Sequence, residues 1–352
     1  MAKKHNARNE RIKRRYFEFL KHAKRQSEQS IDKAAAAIER FDAWNRRKDF
    51  RQFHIEQPIA FKEYLEKQRH PKTGRPLSMA TLEGIIRPLR AFFTWLADQE
   101  GYRKRIRYSD AEYFNLSRKD QRLARSGDVR PAPSPEQVRH LLSVMPATTE
   151  IEMRNRAIAA LLTVTGARIK AVTTLRIKHL NVADRSLFQN AHEVTTKYAK
   201  TMRTYFIPGF PLAEQILAEW VRFLTEDKLY GPDDPLFPKT EIGIGPNGGF
   251  MAIGLSREGW RHTTAVRAII RQACEAAGLG RYGPHAFRHM VIRLAGFRCH
   301  TLEDYKAWSE NIGHENMLTS LQSYGHVPEQ RRRALILGLT EDTGTFLLEP
   351  SF

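Results

Sequence analysis

Between Arg281 and His326 the chain reads RYGPHAFRHMVIRLAGFRCHTLEDYKAWSENIGHENMLTSLQSYGH. His285 and Arg288 stand three residues apart, the pair Gly313-His314 follows, and Tyr324 comes ten residues after that histidine. Pro284 suits the first position of a helix, and residues at i and i+3 share a helix face, so His285 and Arg288 point the same way. In the first turns of a helix the unsatisfied backbone N–H groups also favour an anion. His314 and Tyr324 reach the same point if the chain folds back on itself. Two cations, a polar donor and one phenol suit an attack on a phosphate. Tyr324 is the only tyrosine after Tyr305, hence the only phenol beyond His314. The plainer alternatives are a helix-capping histidine with a surface arginine, and a core tyrosine with its hydroxyl satisfied.

The rest of the composition agrees with a phosphate target. Lys+Arg number 58 against 39 Asp+Glu, a formal charge of +19 over 352 residues. Such an excess calls for a polyanionic partner, of which nucleic acid is the usual one. At 41% hydrophobic the chain is globular. No run approaches the roughly 20 apolar residues that span a bilayer, and no basic amphipathic helix of the lipid-binding kind is visible. A membrane partner is therefore not expected. The two cysteines, Cys274 and Cys299, form no disulfide framework, and the thirteen histidines make neither an HExxH nor a Cys/His ligand spacing. Neither a metal nor another cofactor is expected. The N-terminus is basic, but no apolar stretch follows it as in a secretory signal. An intracellular, cytoplasmic setting follows, associated with the nucleoid if the source is prokaryotic.

The elements that must position these residues read as mainly α with a small antiparallel β-sheet. Residues 1–30 are polar and basic, either a frayed helix, an arm along DNA or a solvated face. Ile31, Ala35, Ile38, Phe41 and Trp44 make one apolar stripe at helical spacing. Pro58 opens a further helix, which the turn HPKTGRP ends. Ser78 caps a long helix whose buried face is Leu82, Ile85, Ile86, Leu89, Phe92, Phe93 and Leu96, with Pro88 inside it as a kink. Ser134-Pro135-Glu136-Gln137 is a capping box opening another helix, and a helix over Met153–Thr165 runs into Gly166. From 175 to 208 the period changes to short β-branched and aromatic segments, which predicts a small hairpin-linked sheet. The stretch from 231 to 250 reads as loop by its Gly and Pro content, and helices resume from about Ser256.

These elements divide the chain. Residues 1–117 read as a small helical domain with a basic N-terminal arm, 118–134 as a basic, Gly- and Pro-punctuated linker, 135–340 as a second domain, and 341–352 as an apolar tail.

At this point several motifs, in order, carry a resemblance. Residues 151–326 resemble the catalytic domain of the tyrosine recombinases, the phage-integrase family, and the N-terminal helices more loosely resemble that family's core-binding (DNA-clamping) domain. Thr165-Gly166-Ala167-Arg168-Ile169 with Leu175-Arg176 resembles the box whose arginine contacts the scissile phosphate. Ala171 stands where the family usually has an acid. Lys200, eight residues before Pro208, resembles the lysine in the turn between two strands, with Lys197 as the alternative. His285-Ala286-Phe287-Arg288 resembles the H-x-x-R box. Ile312-Gly313-His314 with Tyr324 resembles the box of the second histidine and the nucleophile, although the tyrosine is one residue later than in much of the family.

The resemblance implies a mechanism that the residue types can support. Arg168 and Arg288 would grip the phosphate oxygens, each guanidinium being planar and able to bind in a bidentate way. His285 and His314 would add hydrogen bonds, His285 also helping to deprotonate the phenol. Tyr324 would attack phosphorus and keep the bond energy in a 3′-phosphotyrosine, so that rejoining needs no ATP and no metal. Lys200 would protonate the leaving 5′ oxygen. The implied partner is double-stranded DNA, bound by a homotetramer on paired sites, and the 341–352 tail docks either on a neighbouring protomer or on its own domain. Three functions stand at this stage: a site-specific recombinase or integrase, a type IB topoisomerase or hairpin resolvase of the same chemistry, and a non-catalytic DNA-binding protein on a recombinase scaffold.

Overall fold

The computed structural model describes residues 5–71, 73–125, 131–196, 199–245, 247–314 and 329–337. Lys197, Tyr324 and the 341–352 tail lie outside the described residues. The chain separates into two compact units, 1–127 and 128–352.

In the first unit, helices α1 (Ala7–Glu18), α2 (Glu28–Trp44), α3 (Glu56–Lys67) and α4 (Met79–Leu96) surround an aromatic core, followed by the short α5 (Tyr108–Ala111) and by α6 (Arg118–Arg125). Ser27 and Ser78 cap α2 and α4 by accepting from the backbone N–H three residues on. The α4 stripe expected from spacing is buried apart from Ile85, and the helix runs as one element through Pro88. Phe41 stands edge-on to Phe61 and Phe93, with ring centroids 5.2 and 5.4 Å apart, the arrangement that the quadrupoles of aromatic rings favour.

Two parts of this unit depart from the sequence reading. Much of the basic N-terminal segment is the packed helix α1, capped by Asn6. Its buried face includes Asn9 and Lys13, which periodicity alone assigns to water. Asp42 of α2 accepts from Asn9 Nδ2 at 2.9 Å, Lys13 Nζ at 3.1 Å and Arg47 Nη1 at 3.0 Å, so each buried polar group has a partner. The second departure is α6, which occupies the first part of the stretch read as linker. Ser117 starts it by accepting from the Asp120 N–H at 3.1 Å.

The second unit builds on α7 (Pro135–Val144), α8 (Glu150–Thr165) and the short α9 (Ile169–Val172). The capping box of Ser134 and Gln137 forms as expected. Helix α8 is buried along most of its length and ends at Gly166, whose left-handed φ of +57° turns the chain toward Arg168. Strands β1 (Leu180–Asn181), β2 (Ser186–Gln189) and β3 (Met202–Tyr205) form an antiparallel sheet in sequence order, and the Lys200 segment lies between β2 and β3. Helix α10 (Pro211–Arg222) packs on α8, and α11 (Thr264–Ala276), α12 (Pro284–Arg298) and α13 (Leu302–Asn311) complete the unit. A further helix spans Glu329–Leu337.

The 231–250 stretch is not all loop. Thr240–Ile244 (β4) and Phe250–Leu255 (β5) form an antiparallel hairpin. Its glycines lower β propensity, yet the alternation of Ile242, Ile244 and Phe250 with small residues was a strand signal. The next helix begins at Thr264 rather than near Ser256, because Ser256 N–H still bonds to Lys239 O at the root of the hairpin.

Candidate active site

Arg288 sits in the second turn of α12 and is only 3% exposed. Its Nη1 donates to Gly166 O at 2.9 Å and its Nη2 to Ile312 O at 2.6 Å. One guanidinium thereby ties the end of α8 to the turn after α13. Arg168, just beyond Gly166, reaches the adjacent carbonyl, with Nη2 donating to Gly313 O at 3.5 Å. Two guanidinium groups separated by 120 residues of sequence are thus held on neighbouring carbonyls. Burial first, and the charge of Arg168 second, push Arg288 down from the guanidinium range to about 9. A cation desolvated beside another cation is stabilised by an anion entering between them.

His314 follows directly and is 8% exposed, its backbone N–H bonded to Ser309 O at 3.0 Å. Glycine suits the preceding position first for its backbone and second for the space around it. Gly313 has φ +74°, and a Cβ there would lie 2.6 Å from Met202 Sδ on β3. The Gly-His box is therefore packed against the strand that follows Lys200. Lys200 itself is half-buried in the β2–β3 connection. His285 is exposed in the first turn of α12, with its ring edge-on to His289 at 4.6 Å between centroids and 74° between planes.

The structure brings Arg168, Arg288 and the Gly313-His314 turn together, and puts His285 on the helix of Arg288 and Lys200 in the strand turn next to Met202. Ala171, at the position where the family usually has an acid, is buried at 1% exposure on α9.

One positioning residue escaped the sequence reading. Asn311, at the end of α13, accepts from Tyr205 N–H at 2.7 Å and donates to Tyr205 O at 3.0 Å. It pairs with β3 as a neighbouring strand would, while its own carbonyl accepts from Thr204 Oγ1 at 2.9 Å. Trp308 docks the same helix on α12, its Nε1 donating to Val291 O at 3.1 Å. Together they set where the Ile312–Gly313 carbonyls lie. An asparagine two residues ahead of a Gly-His pair was the only local signal.

Comparison with known proteins agrees with this fold. The sequence model of the phage integrase family matches residues 134–331. Relatives include the tyrosine recombinase XerC of Roseiflexus sp., 23% identical over 80% of this chain and 77% of its own. Another is XerC of Anoxybacillus flavithermus, 26% identical over 58% of this chain and 60% of its own. The chain thus spans less than two thirds of that second relative. Among solved structures, a lambda integrase dimer bound to a core site superposes with a TM-score of 0.60 at 14% identity, covering 91% of this chain and 96% of that one. The Tn1549 transposon integrase with transposon right-end DNA gives 0.57 at 15%, covering 93% and 98%. A mainly helical unit with a small antiparallel sheet is the fold that these integrases share. The chain belongs to the phage integrase family.

Proposed function

We propose that this protein is a site-specific recombinase or integrase that cuts and rejoins double-stranded DNA through a tyrosyl-phosphate intermediate. The observation that carries the reading is the pairing of Arg168 and Arg288 on the adjacent carbonyls of Gly313 and Ile312, directly before His314. Two positioned guanidinium groups neutralise a phosphodiester and the charge it gains in the transition state. Tyr324 attacks phosphorus, and its phenolic proton passes to a base, for which His285 is the candidate. A 3′-phosphotyrosine forms as the P–O5′ bond breaks, and Lys200 protonates the leaving 5′ oxygen. In the reverse step the 5′ hydroxyl attacks the same phosphorus and frees the tyrosine, so the ester carries the energy of rejoining.

In this reading the 1–117 helical domain is the DNA-clamping domain, 118–134 joins it to the catalytic domain at 135–340, and the protein works in the cytoplasm as a homotetramer on paired sites. The 341–352 tail docks either on a neighbouring protomer or on its own domain. A cavity of about 580 Å³ beside α12, lined by Phe210, Met290, Leu294, Phe297, Arg139 and Arg298, suits either mode. Its apolar and cationic groups match a segment that carries Phe346, Leu347 and Leu348 with Glu341, Asp342 and Glu349. A truncation at Gly344 that abolishes assembly on DNA favours docking between protomers, and unchanged assembly argues against it.

The deciding experiment uses nicked duplex DNA, on which cleavage traps the covalent species. Wild type is expected to give a denaturation-resistant protein–DNA adduct, and Tyr324→Phe none. An adduct that persists in Tyr324→Phe removes that residue as nucleophile, and no adduct from wild type on any duplex leaves only DNA binding. Relaxation of supercoils without sequence preference would favour a type IB topoisomerase.

A further inference from the structure

The β4–β5 hairpin is rigid at its root and apolar at its tip. At the root, Glu150 of α8 accepts from Leu255 N–H at 2.7 Å and pairs with Lys228 at 2.7 Å. Arg154, one turn along α8, donates to Pro238 O and Thr240 Oγ1, both at 3.0 Å, with its guanidinium 4.9 Å from the centroid of the Trp260 ring. The hairpin therefore projects from a fixed base. Beyond that base Ile242, Ile244, Phe250, Met251 and Ile253 are all exposed, Ile244 at 76% and Phe250 at 87%. The register pairs Ile244 with Phe250 and Ile242 with Ala252, placing one apolar set on one face. Met251 and Ile253 belong to the other face, where Gly243 leaves room for the Ile253 side chain. Among the described residues each strand pairs only with the other, so both outer edges are open.

The charge of the segment decides what covers it. Residues 240–255 contain one charged side chain, Glu241, in a chain with 58 lysines and arginines. A phosphate surface is bound by cations, and here there are none. Around its root, Lys228 pairs with Glu150, Lys239 with Glu258 and Arg257 with Asp234, while Arg261 is exposed six residues after Leu255. An apolar wedge into DNA is set among cations, and residues 240–255 carry none. Ile242, Ile244 and Phe250 alone present on the order of 400 Å² of apolar surface on one face, within the range of a functional patch on a monomer. Two such faces in contact would bury about 800 Å², the size of a weak contact that needs the two copies already held side by side. A contact between the same face of two copies is two-fold, and among the described residues the hairpin edges are open to it.

We propose that the exposed half of the β4–β5 hairpin is a protomer–protomer interface, occupied by the same hairpin of a second copy of this chain when two copies lie on adjacent DNA. The proposal rests on the recombinase reading only for the presence of that second copy. The test compares the full chain with its Ile244→Ser/Phe250→Ser double variant on two mixed-sequence duplexes, one long enough for a single copy and one for two. Both substitutions lie at exposed positions, so the variant is expected to unfold at the wild-type temperature and to bind the one-copy duplex within two-fold of wild type. On the two-copy duplex, wild type is expected to load the second copy at least ten-fold more tightly than the first, and the variant to lose that cooperativity. Equal cooperativity in both proteins, or none in wild type, overturns the proposal. Weakened binding to the one-copy duplex also overturns it and assigns the hairpin to DNA. A Phe250→Cys variant with Cys274 and Cys299 replaced by serine gives a second reading: oxidation on the two-copy duplex should join the copies, and failure to do so counts against a hairpin-to-hairpin contact. The nicked-DNA adduct needs one copy and stays at wild-type level in the double variant. Its absence from wild type would sink the recombinase reading while leaving the cooperativity result to stand or fall by itself.

Discussion

Arg288 links three segments with one side chain. Its hydrogen bonds to Gly166 O and Ile312 O fix the α8 and α13 ends, and its face toward Arg168 is where a phosphate gains most. Arg288→Lys keeps a charge but loses the planar fork. We expect it to lower the rate of adduct formation on nicked DNA by about 10²–10³-fold, the usual cost of removing one positioned donor. DNA affinity, spread over many phosphate contacts, should change little by comparison. Gly313 makes a sharper case, because a Cβ there adds a backbone cost and displaces the end of the Met202 side chain. In Gly313→Ala the new Cβ meets Met202 Sδ, and the residue must also hold φ +74°. The expected loss is about 1–3 kcal/mol of stability, read by denaturant unfolding. Adding Met202→Ala should recover the steric part and leave the backbone part. Full recovery would show that φ costs nothing here.

At the scale of elements, the site depends on how α13 is docked. Asn311 ties its C-terminus to β3 through both backbone groups of Tyr205. Asn311→Ala removes both bonds and leaves a strand edge unpaired, at about 1–3 kcal/mol. The Ile312–Gly313 turn then drifts, so we expect adduct formation to fall while binding to intact duplex stays near wild type. A loss of duplex binding equal to the loss of adduct would contradict the positioning role. In the other unit, α1 is held to α2 by charge as well as by packing. The Arg47 guanidinium, with Lys13 beside it, holds the Glu39 carboxyl down to about 2. A carboxyl lowered in the folded state adds stability above its unfolded pKa of about 4.3 and loses it as pH falls toward 2. Hydrogen exchange of α1 and α2 amides between pH 5 and 2.5 should therefore show protection falling further in wild type than in Glu39→Gln.

For the whole molecule the formal charge of +19 is the dominant quantity. Binding to duplex DNA should release counterions and weaken steeply with salt, giving a log–log slope near −0.9 per phosphate contacted. A flat response would remove the basic surface from the DNA-binding role. The charge is not uniform, and the β4–β5 hairpin is the clearest break in it.

The motifs and the helices were legible in the sequence because their causes are local. Caps at Ser78 and Ser134, the turn at Gly166, the Pro284 start and the i, i+3 pairing of His285 with Arg288 all act within one or two turns of backbone. The order of the boxes carried the family for the same reason. Only the tertiary structure could decide which groups meet. Arg168 reaches Gly313 across 145 residues, and Asn311 reaches Tyr205 across 106. Lys13 and Asn9 read as solvated until Asp42 is brought beneath them. The hairpin at 240–255 was hidden by glycines whose effect on local propensity is unfavourable and whose use, room for neighbouring side chains, exists only once the strands are paired. Local sterics specify an element, but a buried charge or a close backbone approach is affordable only when a distant segment supplies its partner or its space, and no window of sequence contains both.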